Sequence, residues 1–196
     1  MKIDFSFYVA LILAFFSRQI DVYMTYVIAI LIHECGHLVF ATWFKWRVAS
    51  FRLTAIGGFL SFENHLTHPF GEQIVVAWGG IVFNFAFALV LFFVNGPGNL
   101  IYTQLVIGVF NLLPISPLDG SKIFHLLLGR LFSYKKSLDV LRVTNFIFLF
   151  LFAGATWALR LEQYYLVVVV LAVLVVRFGA TVPYLHERHK IQKGSY

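Results

Sequence analysis

Two stretches of this 196-residue chain carry side chains able to do chemistry together. The first is Leu31-Ile32-His33-Glu34-Cys35-Gly36-His37. On a helix, positions i and i+4 share a face, so His33 and His37 point the same way and can hold one metal ion between them. Glu34 then stands beside that ion as a general base acting on a water; this is the H-E-x-x-H arrangement of zinc-dependent hydrolysis. The second stretch is Asn111-Leu112-Leu113-Pro114-Ile115-Ser116-Pro117-Leu118-Asp119-Gly120. Its prolines remove backbone donors and break an apolar helix, and Asp119 stands at the break. Two histidines and one carboxylate, with the fourth position left to water, form a catalytic zinc set rather than a closed structural one. Asp119 is therefore read as the third ligand. A helix N-cap for the segment starting at Gly120 is a competing role for the same carboxylate.

The elements that must position these residues are membrane helices. His33 to His37 lie in an apolar run from Val22 to Phe44, with no other charge between Asp21 and Lys45. A carboxylate at the bilayer centre costs about 2.5–3.5 kcal/mol or more and marks a functional site by default. The chain is 60% hydrophobic and only 12% charged, the composition of a polytopic membrane protein. Its formal charge of +6 falls between apolar runs, as membrane topology requires, and not in an aromatic-interleaved patch, so a nucleic-acid partner is not expected. With Cys35 as the single cysteine, an intrachain disulfide is excluded; Cys35 is read as a small apolar helix residue.

The expected fold is all-α, with about six transmembrane helices and a short β-hairpin between the second and third. The spans are placed at about 5–16, 22–44, 72–94, 100–131 (broken at the prolines), 138–158 and 164–182. Lys45-Trp46-Arg47 reads as a basic-aromatic stop at the interface. Residues 48–63 read as two short strands around a Gly57-Gly58 turn. Such a strand pair must lie at the surface or in a protein-lined cavity, where its edge can accept an extended peptide. His65 and His68 fall in a polar linker and are expected to be solvated rather than metal-bound. Gly79-Gly80 predicts close helix packing, and Asn84 a hydrogen bond across helices. With an inside N-terminus, Lys2, Lys45, Arg47, Arg52, Lys122, Arg130, Lys135, Lys136, Arg188, Lys190 and Lys193 fall on one side and Arg18 and Arg160 on the other. The positive-inside rule then puts both termini in the cytoplasm. His33 to His37 and Asp119 both fall towards the cytoplasmic ends of their spans.

In this order, and in two apolar spans, His33-Glu34-x-x-His37 and Asn111-x-x-Pro114-x-x-Pro117-Leu118-Asp119-Gly120 resemble the site-2 protease family of intramembrane zinc metalloproteases, within it the sporulation branch. The likeness runs from about Tyr23 to Arg130. It implies that His33, His37 and Asp119 ligate one zinc ion per chain and that Glu34 activates water. Asn111 is implied to hold the substrate or the developing oxyanion, and Pro114, Pro117, Gly57 and Gly58 group with it as substrate-binding residues. The strand pair resembles the family's membrane-edge hairpin, and Gly79-Gly80-x-x-x-Asn84 a further family stretch. The family expectation is a single intramembrane metalloprotease domain over 1–196, without the soluble nucleotide-binding domain of the sporulation branch. Its substrates would be membrane-tethered or membrane-associated regulatory proteins, narrowing to a pro-sigma factor, with regulatory membrane proteins as further partners. The setting would be a bacterial cell membrane.

Hydrolysis of a peptide bond follows: zinc polarises the scissile carbonyl and lowers the pKa of its water, and Glu34 carries the water's proton to the leaving amine. The alternative is a metal-transporting or metal-binding membrane protein without protease activity, in which Glu34 has no purpose. A glutamate as third ligand is disfavoured, because Glu63, Glu72, Glu162 and Glu187 are all expected in loops or at span ends.

Overall fold

The computed structural model describes residues 2–55, 57–158 and 160. The chain divides into two compact units, Met1–Asn111 and Leu112–Tyr196.

The first unit holds β1 (Lys2–Ile3), α1 (Phe5–Phe16), α2 (Ile20–Trp43), β2 (Val48–Thr54), β3 (Gly57–Phe62), a 3₁₀ turn (His65–Thr67), α3 (Phe70–Asn95) and α4 (Asn99–Asn111). With 24 and 26 residues, α2 and α3 are long and apolar enough to cross a membrane; at 1.5 Å per residue they reach about 36 and 39 Å. The expected first span is α1, whose 12 residues reach only about 18 Å, short of a hydrocarbon core of about 30 Å. Asp4 caps α1 by accepting the Ser6 N–H at 3.0 Å, and that bond holds its carboxyl below the ordinary range. At the other end the chain turns through Arg18 at φ 58°, and the Ser17 and Gln19 N–H groups close on Leu13 and Ala14.

The expected hairpin is present but differs in detail. β2 and β3 pair antiparallel with Thr54 opposite Gly57 and Val48 opposite Phe62. The strands therefore pair up to Thr54 and Gly57, and the two glycines open β3 instead of forming the turn. A third strand, β1, adds parallel to β2 through Lys2 opposite Arg52 and Ile3 opposite Leu53. Two residues are too few to show a periodicity, so this strand was not expected.

Trp46, just past the end of α2, is buried and packs with Ala41, Val76, Phe40, Phe44 and Phe62. Its indole N–H donates to Glu72 at 2.8 Å, and the His68 ring stacks on it at 4.2 Å with Nδ1 3.5 Å from Glu72. His68 thus joins the hairpin's exit to the start of α3. The apolar body of Trp46 and its single donor suit a half-polar interior site.

Between α2 and α3 the backbones touch. A Cβ placed on Gly79 would lie 2.6 Å from the Gly36 carbonyl oxygen, and one placed on Gly36 would lie 2.8 Å from Phe83 Cβ. Small residues allow this approach, which is the main source of helix association where lipid removes the hydrophobic drive.

The second unit holds α5 (Asp119–Leu131) and α6 (Tyr134–Ala158). Residues 136–158 of α6 are the third stretch among the described residues able to span a membrane; the expected sixth span, 164–182, lies outside the described residues. The proline segment before α5 includes a cis Ser116-Pro117 peptide. It is tied to α6 by Asn145, which accepts the Ser116 N–H at 3.0 Å and donates to Ser116 Oγ at 3.3 Å. Gly120 seats α5 on this segment, because a Cβ there would run into the carbonyl oxygens of Leu112 and Leu113. Gly120→Ala is expected to cost about 1–3 kcal/mol by overpacking, read as a lower Tm in detergent. Gly129→Ala, where an added Cβ meets nothing, should leave the Tm unchanged or slightly raised.

Candidate active site

The centre of the first unit is built by α2 and α3. His33 and His37 are 5% and 6% exposed, on the α2 face that meets α3. His37 Nδ1 is 2.7 Å from the Val76 carbonyl oxygen, which can only accept, so that nitrogen carries the proton. His33 Nδ1 is 2.6 Å from Asn84 Oδ1. Asn84 turns its oxygen that way because its Nδ2 donates to the Ala29 carbonyl at 3.3 Å and to Gln104 Oε1. Both rings are thereby fixed with Nδ1 protonated and Nε2 carrying a lone pair. Holding the far ring nitrogen in this way is how metal-binding histidines are oriented.

The two Nε2 atoms face one another at 3.2 Å, with the rings at 82°. Two lone pairs at that distance repel unless a cation lies against both. Zinc–nitrogen bonds of 2.0–2.1 Å at tetrahedral angles place neighbouring ligand atoms roughly 3.3–3.4 Å apart, which matches. Space is kept by Gly80: a Cβ there would lie 2.6 Å from Nε2 of both histidines. The residues present therefore fit a tetrahedral divalent metal.

Glu34 is half-buried and lies under β3. A Cβ on Gly58 would come within 2.6 Å of Glu34 Cγ and 2.9 Å of its Cδ. The bare backbone of an outer strand thus passes directly over the carboxylate. Gly57 adopts φ 155°, a conformation that disfavours side chains. Cys35 is exposed, on the opposite side of α2 from the histidines.

Asp119 is in the second unit, 3% exposed. It is the first residue of α5, whose N-cap is Leu118, so the N-cap role considered for Asp119 does not hold. Its Oδ1 accepts from Lys122 Nζ at 2.7 Å. Asn111, the last residue of α4, donates its Nδ2 to the Ile107 carbonyl at 3.0 Å. Pro114 and Pro117 are half-buried within the segment leading to α5. His65 falls in the 3₁₀ turn, and Glu72 is engaged by Trp46.

Sequence reasoning gave Asn84 a cross-helix bond without its target, read Gly80 as a helix-packing residue and not as a neighbour of the histidines, and missed Gln104. One signal was available for Gln104. No charged residue occurs between Glu72 and Asp119, and an amide in the middle of an apolar helix there needs a partner.

The family model for peptidase family M50 matches residues 22–99 and 98–155. Stage IV sporulation protein FB of Bacillus subtilis is 29% identical over an alignment 126 residues long, which covers 55% of this chain and 40% of that protein. A zinc metalloprotease of Methanocaldococcus jannaschii is 27% identical over an alignment 124 residues long, which covers 58% of this chain and 36% of that protein. The chain thus matches about two fifths of the length of these curated relatives. Among solved structures, the site-2 protease from Methanocaldococcus jannaschii superposes with a TM-score of 0.66 at 21% identity, covering 91% of this chain and 87% of that one, which gives the same fold. The family match runs through α2, with its facing histidines, and on through α6, well over half of the sequence, and on that ground the chain belongs to peptidase family M50.

Proposed function

We propose that this chain is an intramembrane zinc-dependent endopeptidase that hydrolyses peptide bonds of membrane-tethered or membrane-associated regulatory proteins. The observation that carries this is the pair of buried Nε2 lone pairs 3.2 Å apart, with a carboxylate one residue along and the backbone of β3, an outer strand among the described residues, above it. His33 and His37 are two of the ligands. Asp119 is the third, on its chemistry as a buried carboxylate and on its place in the family motif. Zinc bound there would supply a Lewis acid for the scissile carbonyl and make water acidic enough to attack at neutral pH.

The rest of the chemistry belongs to the chain. Glu34 accepts the proton of the attacking water and returns it to the leaving amine. A helical substrate has its carbonyls bonded internally, so it must be drawn out into an extended form. β3, with Gly57 and Gly58 at its start, offers backbone groups to such a peptide. Asn111 turns from the Ile107 carbonyl to the substrate or the developing oxyanion, and Pro114 and Pro117 shape the wall it stands on. One zinc per chain, a bacterial cell membrane with both termini cytoplasmic, and control by other membrane proteins complete the reading. A pro-sigma factor is the narrower substrate, through the likeness to a sporulation protein.

The test is co-expression with a panel of tagged membrane-tethered candidates, with zinc content measured on the purified chain. The parent is expected to cleave and to hold zinc. His33→Ala and Asp119→Ala should lose or weaken both. Unchanged zinc in Asp119→Ala would remove it from the ligand set, and absence of zinc from the purified parent would sink the metalloprotease reading.

A further inference from the structure

We infer that Gln104 is a positioning residue for the metal site: it sets the orientation of the Asn84 amide, and through it the tautomer of His33. This rests on the reading of His33 as a metal ligand. Gln104 lies on α4, on the face with Ile101 and Gly108 that packs inward, and both Gln104 and Asn84 are 0% exposed. Burying an amide without full hydrogen bonding costs about 1–3 kcal/mol. Gln104 Nε2 has no hydrogen-bond partner among the described residues, so the donor half of this amide explains nothing. What remains is its Oε1, which accepts from Asn84 Nδ2.

That acceptor decides which way Asn84 faces. With Nδ2 directed at Gln104, the Asn84 oxygen is left for His33 Nδ1 at 2.6 Å. His33 must then carry its proton on Nδ1 and keep the Nε2 lone pair. Ala29 also accepts from Nδ2, but at 3.3 Å, and that carbonyl already belongs to the helical ladder of α2. Without Gln104, a half-turn of the Asn84 amide presents Nδ2 to His33 instead. The ring would then keep its lone pair on Nδ1 and its proton on Nε2, which blocks metal binding.

The test compares Gln104→Met, of similar size but with no acceptor, with Gln104→Glu, which restores acceptor oxygens. Two readouts are taken on full-length protein in detergent. One is zinc affinity by competition with a chelating dye. The other is the ¹⁵N chemical shifts of the imidazole nitrogens in the metal-free, histidine-labelled protein, with His33 assigned by difference against His33→Ala. Gln104→Met is expected to weaken zinc binding about 10–100-fold and to move His33 towards the Nε2-protonated tautomer. Gln104→Glu is expected to recover most of both. A role in packing alone would leave the tautomer unchanged and zinc affinity within about twofold in Gln104→Met, and that result overturns the inference. The tautomer readout needs no metal, so it decides the point even if the parent binds no zinc, an outcome that would count against the metalloprotease reading alone.

Discussion

Glu34→Gln is expected to abolish measurable cleavage while leaving zinc in place. The substitution keeps the length and shape of a side chain packed beneath the Gly58 backbone, so it opens no cavity and moves no strand. It removes the one property the mechanism needs, since an amide cannot accept the water's proton. General-base catalysis contributes about 10²–10⁴-fold, which takes an intramembrane protease below detection in a co-expression assay. The histidine ring nitrogens depend on Asn84 and the Val76 carbonyl, neither of which touches this change. Cleavage kept within about tenfold of the parent would show that Glu34 is not the base. A parent that moves zinc across vesicles without cleaving any candidate, with Glu34→Gln doing the same, would favour the transporter alternative.

The second large effect is at the α2–α3 crossing. Gly36→Ala should lower both stability and metal binding. The new Cβ meets the Gly79 carbonyl and Phe83 Cβ. Backbone atoms cannot rotate away, so the helices must separate. Overpacking of this kind costs about 1–3 kcal/mol, more than the roughly 1 kcal/mol by which alanine outranks glycine in a helix. The same separation pulls His37 from the Val76 carbonyl and His33 from Asn84, both of which stand on α3. A zinc affinity 10–100-fold lower is therefore expected, alongside a Tm reduced by about 2–4 °C per kcal/mol lost. Gly71→Ala, on the same helix pair but with open space around an added Cβ, is the control and should change neither. An unaltered Tm and affinity in Gly36→Ala would mean that the helices do not cross this closely.

The long helices α2 and α3 were legible because apolar runs of that length have few other fates in a chain so poor in charge, and α6 was legible for the same reason. The helix break before Asp119 was legible from its prolines. The first apolar run was the right length for a helix but too short for a span, a distinction that composition blurs and geometry settles. The hairpin was visible in its alternation. Its turn was misplaced because a diglycine suits a turn and a close backbone approach equally well, and only the packing of Glu34 against Gly58 tells these apart.

By itself the sequence determined that His33 and His37 share a helix face with Glu34 beside them, since a spacing of four along one helix allows no other arrangement. It also determined the family, because the chemistry-bearing residues occur in order inside apolar spans. Tertiary structure decided everything that depends on what faces that helix. The Val76 carbonyl and Asn84 fix which histidine nitrogens carry protons, Gly80 keeps the space in front of the remaining lone pairs, and Gln104 reaches the site from α4, about 70 residues along the chain from His33. Such contacts join residues distant in sequence. Their partners are set by the crossing of α2 and α3 at Gly36 and Gly79, and no local pattern in the chain encodes them.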